Sequence, residues 1–171
     1  ETELKKVINR EQKFLIGYSP QLVKILNLVR KVAKTDANVL ITGENGTGKE
    51  LIAQEIHHLS GRSGEVLVSV DVGSLSETLF ESELFGHVKG SFTDAHESRQ
   101  GKFELAHRGT LFLDEIGNLS IHLQAKLLSA IENRQITRIG SNQPVSTDIR
   151  LVCATNRNLE NMIREGLFRE D

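Results

Sequence analysis

Residues 43 to 50 read GENGTGKE, that is Gly43, Glu44, Asn45, Gly46, Thr47, Gly48, Lys49 and Glu50. The stretch follows NVLITG, a short apolar, β-branched run that predicts a buried strand. It precedes Glu50 to Leu59, a segment of helix-forming composition with Leu51, Ile52, Ile56 and Leu59 facing inward. A strand, a glycine-rich turn and a helix in that order fit G-x-x-x-x-G-K, the phosphate-binding loop. The glycines let successive backbone N–H groups point at an anion, and the helix adds its positive N-terminal end. Lys49 brings a point charge to the terminal phosphates. Candidate nucleotide contacts are therefore Gly43 through Leu51.

One letter departs from the pattern. The residue after Lys49 is ordinarily Ser or Thr, whose hydroxyl ligates Mg²⁺, and here it is Glu50. A carboxylate beside phosphates is repelled unless metal or water intervenes. Either Glu50 meets the metal through water, or Thr47 and Asp114 take more of that task.

Outward from the loop, strands and helices alternate. Gln21 to Lys34 sets Leu22, Ile25, Leu26, Val29, Val32 and Ala33 on one helical face. VLVSVD, closing at Asp71, predicts a second strand. SETLFESELFG, with Ser76 as N-cap, predicts a helix carrying Leu79, Phe80, Glu83 and Leu84. TLFLDE (Thr110–Glu115) is a third strand, and Leu119 to Ile131 a helix with Leu119, Leu123, Leu127, Leu128 and Ile131 aligned. SNQPVST reads as a loop, IRLVCAT (Ile149–Thr155) as a fourth strand, and Asn158 to Glu165 as a further helix. Apolar strands alternating with helices predict an α/β fold with a mainly parallel sheet covered on both faces.

In such folds ligands bind at the carboxyl ends of the strands. TLFLDE ends there in Asp114 and Glu115: Asp114 to hold Mg²⁺, Glu115 to orient or deprotonate an attacking water. Two other strands close on Asp71 and on Thr155-Asn156. Asn156 is a candidate sensor of the γ-phosphate, and Asp71 a restraint on the surroundings of Glu115, although two carboxylates repel unless a proton or cation lies between them. The alternative for both is that they cap the helices that follow.

The remaining features bound the class of protein. With 171 residues, 38% hydrophobic and 26% charged, the chain has the length for one domain with a real core. A formal charge of -2 shows no basic excess to advertise nucleic acid as this segment's partner, and a helicase-type motor, which needs a basic pore, is disfavoured by Asp94 and Glu97 beside Lys89 in the loop. The single cysteine, Cys153, rules out an internal disulfide and sits in an apolar run, as a buried structural thiol does. The adjacent His57 and His58 project from different sides of a helix and do not form an i, i+4 metal pair. No stretch is long enough to span a membrane, and the charged start ETELKKVINREQK lacks a signal peptide's apolar core. The expectation is a soluble, cytoplasmic domain over residues 14–171 behind a leader or linker over residues 1–13. From Gly86 to about Gln100 there is no period at all, and GHVKGSFTDA isolates Phe92 among polar residues and glycines, where an aromatic is expected on the surface.

Taken together, GENGTGKELIAQEIH, ESELFGHVKGSFTDA, GKFELAHRGTLFLDEIGNL, LQAKLLSAIE, RLVCATNRNL and EGLFRED resemble the AAA+ central domain of bacterial enhancer-binding proteins, which activate transcription by sigma-54 RNA polymerase. The resemblance covers about Leu15 to Asp171, with the motifs in order. It implies ATP and Mg²⁺ as ligands, a ring homo-hexamer, and hydrolysis at subunit interfaces. It makes Glu50 a family trait, places Ile16 and Gly17 beside adenine, and matches Arg169 to an interface arginine that reaches a neighbour's ATP. The family's surface loop, Gly-Ala-Phe-Thr-Gly-Ala, corresponds to Gly90, Ser91, Phe92, Thr93, Asp94 and Ala95, with Phe92 and Thr93 meeting the sigma factor and SNQPVST as a neighbouring loop. Ser91, Asp94 and Asp71 depart from it: family members commonly have Ala, Gly and Asn there. The loss of a glycine at Asp94 implies a stiffer loop. The resemblance also implies a helical lid after Asp171, then a helix-turn-helix domain for enhancer DNA, and a receiver or sensor domain before residue 1, as in two-component regulators. Without its lid the segment is expected to be a weak ATPase, and monomeric. The alternative is a nucleotide-gated transcription regulator that does not engage sigma-54.

Overall fold

Strands β1 (Val39–Thr42), β2 (Leu67–Asp71), β5 (Thr110–Asp114) and β8 (Arg150–Thr155) form one parallel sheet in the order β1-β8-β5-β2. They come from a computed structural model that describes residues 19–74 and 76–171. The expected leader over residues 1–13, and Ile16 and Gly17, lie outside the described residues.

The two middle strands explain the layered core. Side chains alternate across a strand. Leu111, Leu113, Leu151 and Cys153 therefore share one face and Phe112, Val152 and Ala154 the other. Helices α1 (Pro20–Ala33) and α2 (Lys49–His58) cover the second face through Val29, Ala53 and Ile56. Helices α3 (Glu77–Phe85), α4 (Lys102–Leu105) and α5 (Ile121–Asn133) cover the first through Phe80, Leu84, Phe103, Leu123 and Leu127. A last short helix, α6 (Leu159–Arg164), follows β8 with Asn158 as its side-chain N-cap. Thus the sheet is sandwiched by helices, as the alternating pattern requires.

The outer strands depart from the expectation of full cover. β1 is an edge strand whose alternate residues reach solvent, so Leu40 is 51% exposed. Ile25, Leu59 and Leu79, expected to face inward, are also exposed. Leu59 is the C-cap beyond the last turn of α2, and Leu79 precedes the inward pair Phe80 and Leu84. SNQPVST is not wholly loop: Pro144–Ser146 is strand β7, paired antiparallel with β6 (Gln135–Thr137). Pro144 is tolerated because this two-stranded ribbon is all edge.

Buried charge is handled at the sheet's amino end, away from the phosphate loop. Arg150 is fully buried and donates to the carbonyls of Val32, Ala33 and Ala37, satisfying the end of α1. Arg62 clasps Asp36 and Asp148 at 2.8 and 2.9 Å. Its guanidinium holds the Asp36 carboxyl below its ordinary range.

Candidate nucleotide site

The phosphate loop leaves a helix end open. At the start of α2 the N-cap is Gly48, at φ +87°, where a side chain would be strained and none is present to accept a hydrogen bond. By contrast α1, α5 and α6 are capped by Ser19, Ser120 and Asn158. The first-turn N–H groups of α2, at Lys49, Glu50 and Leu51, thus lack a side-chain acceptor and can meet an anion.

Lys49 is 8% exposed and donates to the carbonyls of Gly43 (3.0 Å) and Glu44 (3.1 Å), so its ammonium lies over the loop. Thr47 Oγ1 donates to the Glu44 carbonyl at 2.7 Å. Asn45 and Gly46 form the exposed tip, and Glu50 is exposed on the first turn. Gly43 N–H donates to the carbonyl of Thr155, which docks the loop on the end of β8.

Strand order decides which groups meet. β8 lies between β1 and β5, so Asn156 stands between the loop and the acidic strand end. Its Nδ2 donates to Asn45 Oδ1 (2.8 Å) and its backbone N–H to Glu115 Oε2 (3.3 Å). Glu115 Oε1 lies 3.6 Å from Lys49 Nζ. Glu115 has φ 57°, ψ 44°, a left-handed conformation that costs a non-glycine residue about 1 kcal/mol or more. That turn aims its side chain back over the sheet edge, while its N–H binds Asp114 Oδ1 at 2.9 Å. Lys49, Asn45, Glu115 and Asn156 are one connected network, with Asp114 at its base.

Two sequence candidates stand outside that network. Asp71 is in register with Asp114, but its Oδ1 accepts the Gly73 N–H at 2.8 Å and so closes the 3-10 turn at Val72–Ser74. That geometry is the capping alternative, and among the described residues no hydrogen bond joins Asp71 to Glu115. Arg169 is exposed, and its guanidinium makes a bidentate pair with Asp171 at 2.7 and 2.6 Å, which raises its pKa.

The surface loop is built differently. Gly86 and His87 form β3, paired with β4 (Arg99–Gln100), and between them the chain closes on itself. Gly90 N–H binds the Ala95 carbonyl at 2.8 Å, and Ala95 N–H binds the Phe92 carbonyl at 3.0 Å. Thr93 and Asp94 are exposed at the tip. Phe92 is half-buried instead of exposed: its ring meets the His87 ring edge-on at 5.0 Å, and His87 Nδ1 lies 2.7 Å from Ser82 Oγ. Asp94 is not among the residues with positive φ, so this conformation does not require the glycine that it lacks. Val88 and Gly86 bond the backbone of Ile139, and a Cβ at Gly140 would lie 2.5 Å from that of Ser91. The turn between β6 and β7 therefore packs against the loop as its neighbour.

Elsewhere the sequence readings meet their structural partners. Cys153 is buried, and burial pushes its thiol up to about 12, so it is no nucleophile. His57 is buried, with Nδ1 2.8 Å from Thr110 Oγ1, and burial lowers its pKa to about 4. That bond pins α2 to the start of β5, a tie that sequence periodicity does not reveal. Among the described residues no helix is long and apolar enough to cross a membrane.

An uncapped glycine turn entering a helix, facing an aspartate-glutamate pair two strands away, defines the P-loop NTPase class. The helices on both faces and the β1-β8-β5-β2 order fit its AAA+ branch. More narrowly, the chain belongs to the sigma-54 interaction domain family, which it matches over residues 15–171. It is 47% identical over 171 residues to the Nif-specific regulatory protein of Azorhizobium caulinodans, covering 100% of this chain and 28% of that protein. It is 52% identical over 157 residues to the regulatory protein AtoC of Escherichia coli, covering 92% of this chain and 34% of AtoC. Among solved structures it is similar to NtrX from Brucella abortus, with TM-score 0.87 and 35% identity over 99% of this chain and 38% of that one. NtrX has also been solved in complex with ATP, with TM-score 0.85 and 34% identity over 99% of this chain and 38% of NtrX. The chain thus spans about a third of the length of these relatives.

Proposed function

We propose that this chain is the ATP-binding and ATP-hydrolysing domain of a sigma-54-dependent transcriptional activator. The observation that carries the reading is the contact of Asn156 with both Asn45 and Glu115 at the sheet edge, in a chain of this family. A longer protein would assemble as a ring homo-hexamer, remodel the closed complex of sigma-54 RNA polymerase, and reach enhancer DNA through a C-terminal helix-turn-helix domain.

Each residue has a role that follows from its place. The open N–H groups of α2 and the Lys49 ammonium bind the β- and γ-phosphates. Glu115 takes the proton of the attacking water, and Asn156 orients that water and the γ-phosphate. The oxygen donors at Asp114, Thr47 and Glu50 suit a hard cation. Asp114 would hold Mg²⁺, with Thr47 or a water on Glu50 on the loop side, and the ion neutralises phosphate charge when bound. Asp71 steadies the end of β2 beside Asp114. Arg169 reaches a neighbouring subunit's ATP, where a trans guanidinium offsets charge developing on the phosphoryl oxygens. Residues Gly90 to Ala95 present Thr93 and Phe92 to sigma-54.

The half-burial of Phe92 against His87 favours a second reading, a nucleotide-gated regulator that leaves sigma-54 alone. One experiment separates them. With the full-length activator, Thr93→Ala is expected to retain ATP turnover and to lose sigma-54 binding in the presence of a transition-state analogue. Open complexes are expected with ATP and not with a nonhydrolysable analogue. Retained sigma-54 binding by Thr93→Ala would sink the role of the loop.

A further inference from the structure

Gln124 is the one polar side chain among the buried residues of α5 (Leu123, Gln124, Leu127 and Ala130), and it is 6% exposed. Both donor positions of its amide are used, and its oxygen accepts one bond. Nε2 donates to the carbonyls of Leu119 (2.9 Å) and Leu167 (3.1 Å), and Oε1 accepts the backbone N–H of Arg169 at 2.8 Å.

Those three bonds join two distant parts of the chain. Leu119 ends the 3-10 turn Ile116–Asn118, which starts at Glu115. Leu167 and Arg169 flank Phe168 in the bend after α6, where Gly166 at φ +70° turns the chain and Leu167 N–H returns to the Met162 carbonyl. Phe168 packs on the main core, and the Arg169 side chain beyond it is exposed. A buried amide bonded on both its edges fixes backbone direction, which hydrophobic contact at Phe168 alone does not.

We infer that Gln124 is the positioning residue for Arg169. It sets the direction in which the guanidinium leaves the subunit, and it ties that direction to the turn carrying the subunit's own Glu115. The inference rests on the reading of Arg169 as an arginine that serves a neighbour's ATP. Because a displacement of about 1 Å in a catalytic group costs roughly a hundredfold in rate, a loosened Arg169 backbone is expected to lower turnover by about tenfold or more.

The test uses the full-length, assembled ATPase and four proteins: wild type, Arg169→Ala, Gln124→Met and Glu115→Gln. Gln124→Met is expected to bind ATP as wild type does, with kcat lowered about tenfold. A merely structural role predicts the same loss, so mixing decides. Glu115→Gln subunits cannot hydrolyse their own ATP but carry an intact Gln124 and Arg169. Added to Gln124→Met subunits, they are expected to raise turnover per Gln124→Met subunit severalfold, because an active site beside a donor subunit then faces a correctly held arginine. A wild-type kcat for Gln124→Met, or a loss that donor subunits do not rescue, overturns the inference. A wild-type kcat for Arg169→Ala overturns the reading of Arg169 itself, and is seen separately. Should Gln124→Met not assemble, an ionised Gln124→Glu fills the same volume but cannot donate to the carbonyls of Leu119 and Leu167, so it releases the same segment. It carries the same mixing test, with rescue expected and its absence decisive.

Discussion

The nucleotide site and the surface loop are both short, glycine-marked and polar in sequence, yet the structure builds them in opposite ways. GENGTGKE hangs between a sheet strand and a ten-residue helix, and its groups bond across three strands: Lys49 to Glu115, Asn156 to Asn45 and to Glu115. GHVKGSFTDA rests on a two-residue strand pair and bonds mainly to itself and to its neighbour at Ile139. The difference teaches that the first is positioned by the fold and the second by its own closure. A perturbation of the sheet should therefore reach the site before the loop, and a change within the loop should spare the site.

Removing Lys49 breaks the comparison at its strongest point. Lys49→Ala deletes the ammonium that is already aimed over the loop, and truncating one partner of a desolvated charge pair costs about 2–5 kcal/mol. ATP affinity is expected to fall by a hundredfold or more, measured by equilibrium titration with a fluorescent ATP analogue, while the loop keeps its structure. Glu115→Gln should retain binding and lose turnover. Normal turnover in that variant would remove Glu115 from the mechanism.

The next effect tests whether the scaffold under the site can be loosened by pH. His57 pins α2, the helix that starts at Lys49, to Thr110 at the base of β5. Burial holds its folded pKa at about 4, below the ordinary 6.5 of the unfolded chain. Between those values the unfolded state binds more protons, so stability is whole above pH 6.5 and is lost as pH falls toward 4. At about 1.36 kcal/mol per pH unit the full loss is on the order of 3 kcal/mol. Chemical denaturation at pH 7 and pH 4.5 measures it, and His57→Gln should flatten the difference. An unchanged slope in that variant would assign the acid sensitivity to other groups.

What the sequence revealed follows the same division. The strand–loop–helix of the site, Asp114-Glu115 and Asn156 were readable because each sits at a strand end with apolar residues on one side. The left-handed turn at Glu115 was not, because no glycine or asparagine marks it. Sequence pattern places Phe92 on the surface, because its partner, His87, lies five residues earlier across a reversal of chain direction. Nothing in the pattern marks Gln124 inside an apolar helix, since its three partners belong to Leu119, Leu167 and Arg169. Strand β7 looks like loop in sequence because Pro144 starts it. Local patterns fix elements, whereas these contacts depend on which elements the sheet order brings together.

The smallest effect sharpens the account of the loop. Ser91 Oγ is buried with no hydrogen-bond partner among the described residues, and the Ser91 Cβ is pressed toward Gly140. A hydroxyl shut away without a partner costs about 1–3 kcal/mol relative to a bonded one. Ser91→Ala removes that hydroxyl without opening a large cavity, and is expected to stabilise the fold by about 1 kcal/mol, a few degrees in Tm. The gain should come with unchanged ATP affinity, because no bond connects Ser91 to the network around Lys49. Gly140→Ala should act in the opposite sense, since its Cβ would collide with Ser91 and its φ of +77° disfavours any side chain. If Ser91→Ala destabilised the protein, the hydroxyl would have to be bonded in solution, and the loop would not pack against Ile139 and Gly140 as it does here. If it altered ATP affinity instead, loop and site would be coupled within one subunit, and the separation drawn from their hydrogen bonds would fail.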